Sequence, residues 1–75
     1  MWLIELGWGQ WQELTEWEVH FFEEALEQGH NVVEYTHDRG PKYYIRYVPY
    51  EVDVINKTQK NMNTGKVRKL MRIMG

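Results

Sequence analysis

The sequence predicts an α+β domain that combines an antiparallel sheet with a single helix. Apolar residues alternate near the N-terminus, a helical period replaces this alternation after residue 14, and a β-rich run fills residues 43–55. The 75 residues, of which 43% are hydrophobic and 15% aromatic, suffice for one core. We therefore expect residues 1–75 to form one domain.

The N-terminal segment favours a β-hairpin. Trp2 and Ile4 open an alternating pattern, residues 7–10 supply a turn, and Trp11 begins a second short strand over residues 11–14. Large aromatic side chains in a small domain are mostly buried, so we expect both tryptophans in the core.

A helix is predicted from Glu16 to Gln28. Thr15 and Glu18 have the spacing of a capping box, in which each residue satisfies a free backbone N–H of the first turn. Gly29 follows as the expected left-handed stop.

The remaining strands are predicted from β-rich segments separated by turn residues. Pro49 splits the long run because proline cannot donate to a sheet ladder. Turn residues cluster at positions 38–41 and 61–65. The predicted strands cover residues 32–35, 43–48, 50–55 and 66–73.

Charge is unevenly distributed along the chain. Residues 1–40 hold nine acidic residues and one basic residue, whereas residues 41–75 hold eight basic and two acidic residues. An anionic ligand should therefore meet the second half. On the last predicted strand, Lys66, Arg68 and Arg72 share one face, a pattern that also fits a solvated surface.

Several classes of protein are disfavoured by composition. The chain has no cysteine, no signal-peptide pattern at its start and no apolar run long enough to span a membrane. We expect a soluble intracellular protein, cytoplasmic or nuclear. His20, His30 and His37 are scattered, so we expect no metal site, no cofactor and no catalysis.

Two segments of the second half carry a resemblance to a known family. They are Tyr50-Glu51-Val52-Asp53-Val54 and Gln59-Lys60-Asn61-Met62-Asn63-Thr64-Gly65-Lys66-Val67-Arg68. Together with Trp2, Trp11 and Glu23, which match the family's two tryptophans and its helical glutamate, they resemble the WWE family. This resemblance implies a strongly curved antiparallel sheet, or half-barrel, packed on one α-helix.

The resemblance also implies a ligand. Family members that bind poly(ADP-ribose) take an iso-ADP-ribose unit, or a terminal ADP-ribose, into one open end of the half-barrel. Tyr50, Gln59 and Arg68 match their ligand-contacting positions. The chemistry of these side chains fits, since a guanidinium pairs with pyrophosphate, an aromatic ring forms a wall for a purine or ribose, and an amide reads adenine. Poly(ADP-ribose) or ADP-ribosylated proteins are the implied partners.

Ile4 and Gln12 stand where binding members often have aromatic residues, and with Arg72 they are further candidates for ligand contact. Their identities motivate an alternative, a protein–protein interaction module that keeps the fold but has lost the ligand. Binding to single-stranded nucleic acid is disfavoured by the acidic helix. From the residues alone, Tyr50 could be an ordinary sheet residue, and Gln59 could cap backbone groups instead of a ligand.

Asp53 and Asn61 are expected to form hydrogen bonds at turns or strand ends, because short polar side chains pair readily with nearby backbone N–H groups.

Overall fold

A computed structural model describes residues 1–74, so that position 75 of the expected domain lies outside the described residues. The chain forms six strands and one helix. In chain order these are β1 (Trp2–Gly7), β2 (Gln10–Glu13), α1 (Glu16–Glu27), β3 (Val32–Asp38), β4 (Tyr47–Asp53), β5 (Thr58–Asn61) and β6 (Val67–Arg72).

All six strands belong to one sheet with the order β2-β1-β6-β5-β4-β3, and every neighbouring pair is antiparallel. The last strand, β6, lies between β1 and β5 and joins the N-terminal hairpin to the rest of the sheet. The predicted α+β class with an antiparallel sheet is confirmed. No pairing joins the outer strands β2 and β3 within residues 1–74, so the sheet does not close into a barrel.

The helix begins and ends close to its predicted bounds. The Glu18 carboxylate accepts hydrogen bonds from the Thr15 backbone N–H at 3.3 Å and from the Thr15 hydroxyl at 2.7 Å. At the other end Gly29 has a φ of +79°, the left-handed conformation that glycine adopts without steric cost. Local sequence signals therefore set both ends of α1.

Pro49 does not split the β-rich run as predicted, because it lies inside strand β4. Its carbonyl accepts from the Met62 N–H at 2.9 Å, on the side of the strand that faces β5. In an antiparallel strand the N and O of one residue point the same way, so the missing N–H also faces Met62, just beyond the end of β5 at Asn61. The proline therefore removes at most the reciprocal bond to the Met62 carbonyl, just beyond the end of β5, and leaves the hydrogen bonds between β3 and β4 intact.

The predicted strand at residues 43–48 is wrong over residues 43–46, which form an irregular connection, whereas residues 47 and 48 begin β4. The pairing between β3 and β4 ends at Asp38 opposite Tyr47, which leaves the preceding residues without a partner strand. The Asp38 carboxylate instead holds the connection, accepting from Arg46 Nε and Nη2 at 2.7 and 2.9 Å and from the Gly40 N–H at 2.8 Å.

The core lies between α1 and one face of the sheet. Trp2 and Phe22 are fully buried, with their rings edge to face and centroids 5.3 Å apart. Val52 and Leu70 pack in the same cluster. The expectation that Trp11 lies in the core is wrong. Its side chain is 37% exposed, because β2 is a short edge strand whose four residues are all exposed.

Alternation along β6 identifies its inner face. Leu70 is buried in the core, whereas Val67 and Ile73 on the opposite face are 55% and 43% exposed. Arg68 and Arg72 lie two residues from Leu70 and share its face, so they flank the core instead of forming a solvated surface.

The expectation for Asp53 and Asn61 is confirmed. The Asp53 carboxylate accepts from the backbone N–H groups of Ile55 and Asn56 at 3.0 and 2.8 Å. The Asn61 Oδ1 accepts from those of residues 63 and 64 at 2.9 and 3.2 Å. Both side chains shape the turns that begin and end β5.

Glu23 ties the helix to two strands. Its carboxylate accepts a hydrogen bond from Trp2 Nε1 at 2.9 Å. It also forms a bidentate ion pair with Arg72, whose Nε and Nη2 donate to Oε1 and Oε2, each at 2.7 Å. The Arg72 hydrogen bond is the main reason that the pKa of Glu23 lies below its ordinary value of 4.5; burial opposes this shift and the Trp2 bond adds to it.

Replacing Glu23 by glutamine should lower the free energy of unfolding by about 1 kcal/mol at neutral pH, because the ion pair is partly exposed. A lowered pKa stabilises the fold above the unfolded-state pKa, and this stabilisation is lost as pH falls through the folded-state value. The difference between wild type and Glu23→Gln should therefore shrink below about pH 4.5. Urea unfolding of both proteins at neutral and acidic pH measures this difference in the free energy of unfolding.

Glu24→Gln is the matched control, because within residues 1–74 the neighbouring carboxylate accepts a side-chain hydrogen bond only from the exposed Gln28. An equal loss of stability in both variants would contradict the role assigned to Glu23.

A helix long and apolar enough to cross a membrane is not found in residues 1–74.

Candidate functional site

Strand register brings the three main candidate residues to one face of the sheet. Gln59 lies directly opposite Arg68 on β6 and opposite Val52 on β4. Tyr50 is two residues from Val52 and therefore shares its face. Side chains at such positions lie about 5–8 Å apart, so Tyr50, Gln59 and Arg68 form one cluster.

This cluster lines an open cleft of about 330 Å³, called here the main cleft. The lining includes residues from all six strands and from the start of the helix. Its residues are Ile4, Leu6, Gln12, Glu13, Leu14, Thr15, Glu18, His37, Arg39, Tyr50, Gln59 and Arg68. Five of the six candidate ligand residues thus meet at one place.

A smaller cavity of about 90 Å³, called here the cationic pocket, shares residues with the main cleft. It is lined by Arg39, Tyr50, Gln59, Asn61, Lys66 and Arg68. Three of these side chains are cationic and none is acidic. The arrangement suits a ligand group with several anionic oxygens.

Arg68 is anchored by one hydrogen bond, and its other guanidinium N–H groups remain available to a ligand. Its Nη1 donates to the Glu5 carbonyl on neighbouring β1 at 3.2 Å. Within residues 1–74 its guanidinium forms no ion pair, and a guanidinium carries five N–H donors in a rigid fork. The remaining donors can pair with an anion in the cationic pocket.

Arg39 lines the same pocket and forms no ion pair within residues 1–74. Its guanidinium carbon lies 5.2 Å from the centroid of the Tyr43 ring, a cation–π contact. The adjacent Asp38 does not neutralise it, because that carboxylate is paired with Arg46. The Arg46 hydrogen bonds lower the pKa of Asp38 to about 2.

Gln59 is buried, at 5% exposure, and its amide nitrogen is paired with a side chain and not with a backbone group. Its Nε2 donates to the Tyr35 hydroxyl at 2.6 Å, and that hydroxyl donates to Glu18 Oε2 at 2.8 Å. This chain of hydrogen bonds connects β5, β3 and the start of the helix beside the main cleft.

The aromatic part of the cleft comes from β3 and β4. The His37 and Tyr50 rings line it with centroids 6.5 Å apart, and Tyr35 packs against Tyr50 at 5.6 Å. Ile4 and Gln12 pair across β1 and β2 and form the opposite wall. Aromatic side chains therefore line one wall of the cleft, whereas the wall formed by Ile4 and Gln12 has none at these two positions.

One candidate ligand residue and two exposed aromatic residues lie outside both cavities. Arg72 does not line the main cleft or the cationic pocket, and its guanidinium is engaged by Glu23. Trp8 lies at the tip of the β1–β2 turn with its side chain fully exposed. Tyr43 contacts Arg39 but does not line the cleft.

Sequence reasoning did not assign Glu18, His37 or Arg39 to the site, although all three line the main cleft. Glu18 was interpreted only as a capping residue, and His37 only as one of several scattered histidines. Arg39 belongs to the acidic half of the chain. As the only base among residues 1–40, just before a Gly-Pro turn, it carried a signal that could have identified it.

Among residues 1–74, no cluster of three or more histidine or carboxylate side chains is placed to hold a metal ion. No protein-family model and no curated protein matches the chain.

Proposed function

We propose that this chain is a non-catalytic, WWE-like module that recognises ADP-ribose units of poly(ADP-ribose), either iso-ADP-ribose or a terminal ADP-ribose. The observation that carries the proposal is the convergence of Tyr50, Gln59 and Arg68 on one cleft that continues into a cationic pocket. Its partners are poly(ADP-ribose) or ADP-ribosylated proteins. Its context is an intracellular, larger protein such as a ubiquitin ligase or an ADP-ribosyltransferase, as the WWE resemblance implies.

The ligand's chemistry can be divided between the two cavities. A pyrophosphate fits the cationic pocket, where Arg39, Lys66 and Arg68 surround a volume free of acidic side chains. A purine and ribose fit the main cleft against Tyr50, within reach of the Gln59 amide. The cleft volume of about 330 Å³ is at the lower end of the roughly 300–1,000 Å³ typical of small-molecule sites.

The proposal includes a sheet that curves into a half-barrel around α1. In a flat sheet of this order, β1 and β3 would lie about 19 Å apart, at about 4.8 Å per strand. Yet the Phe22 ring centroid is 5.3 Å from that of Trp2 on β1 and 5.8 Å from that of Tyr35 on β3. A cleft lined by all six strands also favours a concave face.

The alternative is a protein–protein interaction module with the same fold. Ile4 and Gln12 supply no aromatic wall on their side of the cleft. In addition, the connection before β4 exposes three large apolar side chains: Tyr43 at 56%, Tyr44 at 104% and Ile45 at 52%. Exposed clusters of this kind often contact other proteins.

Titration calorimetry of the purified domain with iso-ADP-ribose tests the proposal. We expect micromolar binding, and weaker binding of AMP, because AMP lacks the pyrophosphate that would occupy the cationic pocket. ADP-ribose serves as a second comparator, and the tighter of the two ADP-ribose species identifies the natural unit.

Absence of heat with every nucleotide, from a sample shown to be folded by circular dichroism, would overturn the proposal and favour the interaction module. An RNA oligonucleotide is the control for unspecific anion binding. RNA affinity should fall steeply with salt and be insensitive to loss of Gln59, unlike binding of ADP-ribose in a specific pocket.

A further inference from the structure

Three polar side chains form a continuous hydrogen-bonded row beside the main cleft. Glu18 and Gln59 are 7% and 5% exposed, and the Tyr35 hydroxyl lies between them. The outer end of the row is anchored at Thr15, whose backbone N–H and hydroxyl both donate to Glu18 Oε1. The direction of each hydrogen bond in this row can be deduced.

A carboxylate only accepts hydrogen bonds, so Glu18 receives the Tyr35 proton at its Oε2. Burial is the main reason that the pKa of Tyr35 is raised, and the nearby Glu18 charge adds to it, so the hydroxyl keeps its proton. Because that proton is committed to Glu18, the Tyr35 oxygen can only accept from Gln59. The amide nitrogen of Gln59 must therefore be the atom that faces Tyr35.

The opposite atom of the amide is thereby oriented too. No donor among residues 1–74 pairs with Gln59 Oε1, and no buried side-chain polar atom of these residues lacks a partner. The Gln59 carbonyl oxygen must therefore be open to solvent, and Gln59 lines both the main cleft and the cationic pocket. A ligand meets an oriented acceptor at this position.

We infer that Glu18 and Tyr35 act as positioning residues that fix the polarity of Gln59, so that the cleft selects a purine with an amine at C6 over one with a carbonyl at C6. This inference rests on the proposed function. An adenine amine can donate to the Gln59 carbonyl, whereas the hypoxanthine carbonyl would place two acceptors face to face. An unpaired acceptor on each side should weaken binding by about tenfold or more.

Calorimetry with ADP-ribose and its hypoxanthine analogue is the first test. The wild-type chain should bind the adenine form at least about tenfold more tightly. Equal binding of both overturns the inference and leaves the proposed function standing. Binding of neither overturns both.

Replacing Glu18 by glutamine should reverse the preference. The Thr15 backbone N–H still requires an acceptor, so the new amide turns its oxygen to Thr15 and its NH₂ to Tyr35. The Tyr35 hydroxyl then accepts from residue 18 and donates to Gln59 Oε1, which turns the Gln59 NH₂ toward the ligand. The hypoxanthine analogue should become the tighter ligand.

Tyr35→Phe provides an independent second variant, because it leaves the Gln59 amide free to turn. The ratio of the two affinities should fall to near one while binding persists. Glu16→Gln, an exposed carboxamide in the same helical turn, is the matched control and should keep the wild-type ratio. A folded Glu18→Gln or Tyr35→Phe variant that retains the full preference for adenine overturns the inference, because a purely structural role would not change this ratio.

Discussion

Replacing Arg68 by alanine is expected to weaken ADP-ribose binding by about a hundredfold while the domain stays folded. The guanidinium lies where the main cleft and the cationic pocket meet. Hydrogen bonds to charged groups contribute about 1.5–3 kcal/mol each, and a hundredfold loss corresponds to ~2.7 kcal/mol. Calorimetry measures the affinity, and urea unfolding measures the stability.

The fold should tolerate this change because Arg68 makes a single hydrogen bond to the Glu5 carbonyl within residues 1–74. Lys69→Ala is the matched control, since it removes a positive charge from the next residue of β6, which is exposed on the outer face of the sheet. Unchanged affinity in Arg68→Ala would refute the assignment of this residue. An equal loss in both variants would show that binding depends on overall charge.

Phe22→Ala should destabilise the domain by about 3–5 kcal/mol, the usual cost of removing a large aromatic ring from a packed core. Phe22 is fully buried, and its ring contacts Trp2 on β1 and Tyr35 on β3. Folded domains have a total stability of about 5–15 kcal/mol, so the variant should lose a large part of it and unfold at a clearly lower temperature than the wild type. Thermal unfolding followed by circular dichroism measures the loss.

Trp17→Ala is the comparison, because it removes a large ring from the same helix at a position that is 48% exposed. Trp17 keeps one edge-to-face contact with Tyr35 at 5.3 Å, and such pairs contribute about 0.5–1.5 kcal/mol. If the two variants lost similar stability, Phe22 would not be the centre of the core.

The elements with strong local signals were predictable from sequence. The helix has a capping pair at Thr15 and Glu18 and a left-handed glycine at its end, and both are confirmed. Pro49 and residues 43–46 were assigned wrongly because their conformation depends on where the partner strands stop, which local sequence does not encode. The exposure of Trp11 likewise follows from the position of β2 at the sheet edge.

The candidate site was predictable in part. Tyr50, Gln59 and Arg68 could be grouped because they lie in recognisable segments, and strand register brings them together. The roles of Arg39 and Tyr35 depend on the pairing of β3 with β4, which is not encoded in the spacing of either residue. Charge counting assigned an anionic ligand to the second half, yet Arg39 from the first half completes the cationic pocket.

The inner position of β6 has a consequence for how the domain is made. Trp2 on β1 pairs with Arg72 on β6, so β1 can pair with β6 only after almost the whole chain has been synthesised. During synthesis on the ribosome, the β1–β2 hairpin and the helix emerge first, but the core cannot close until the last strand has left the exit tunnel. Closure of the core therefore depends on one strand pairing of high sequence separation, β1 with β6, whereas the other strand pairings join strands that follow one another along the chain, and the formation of this one pairing should limit the folding rate.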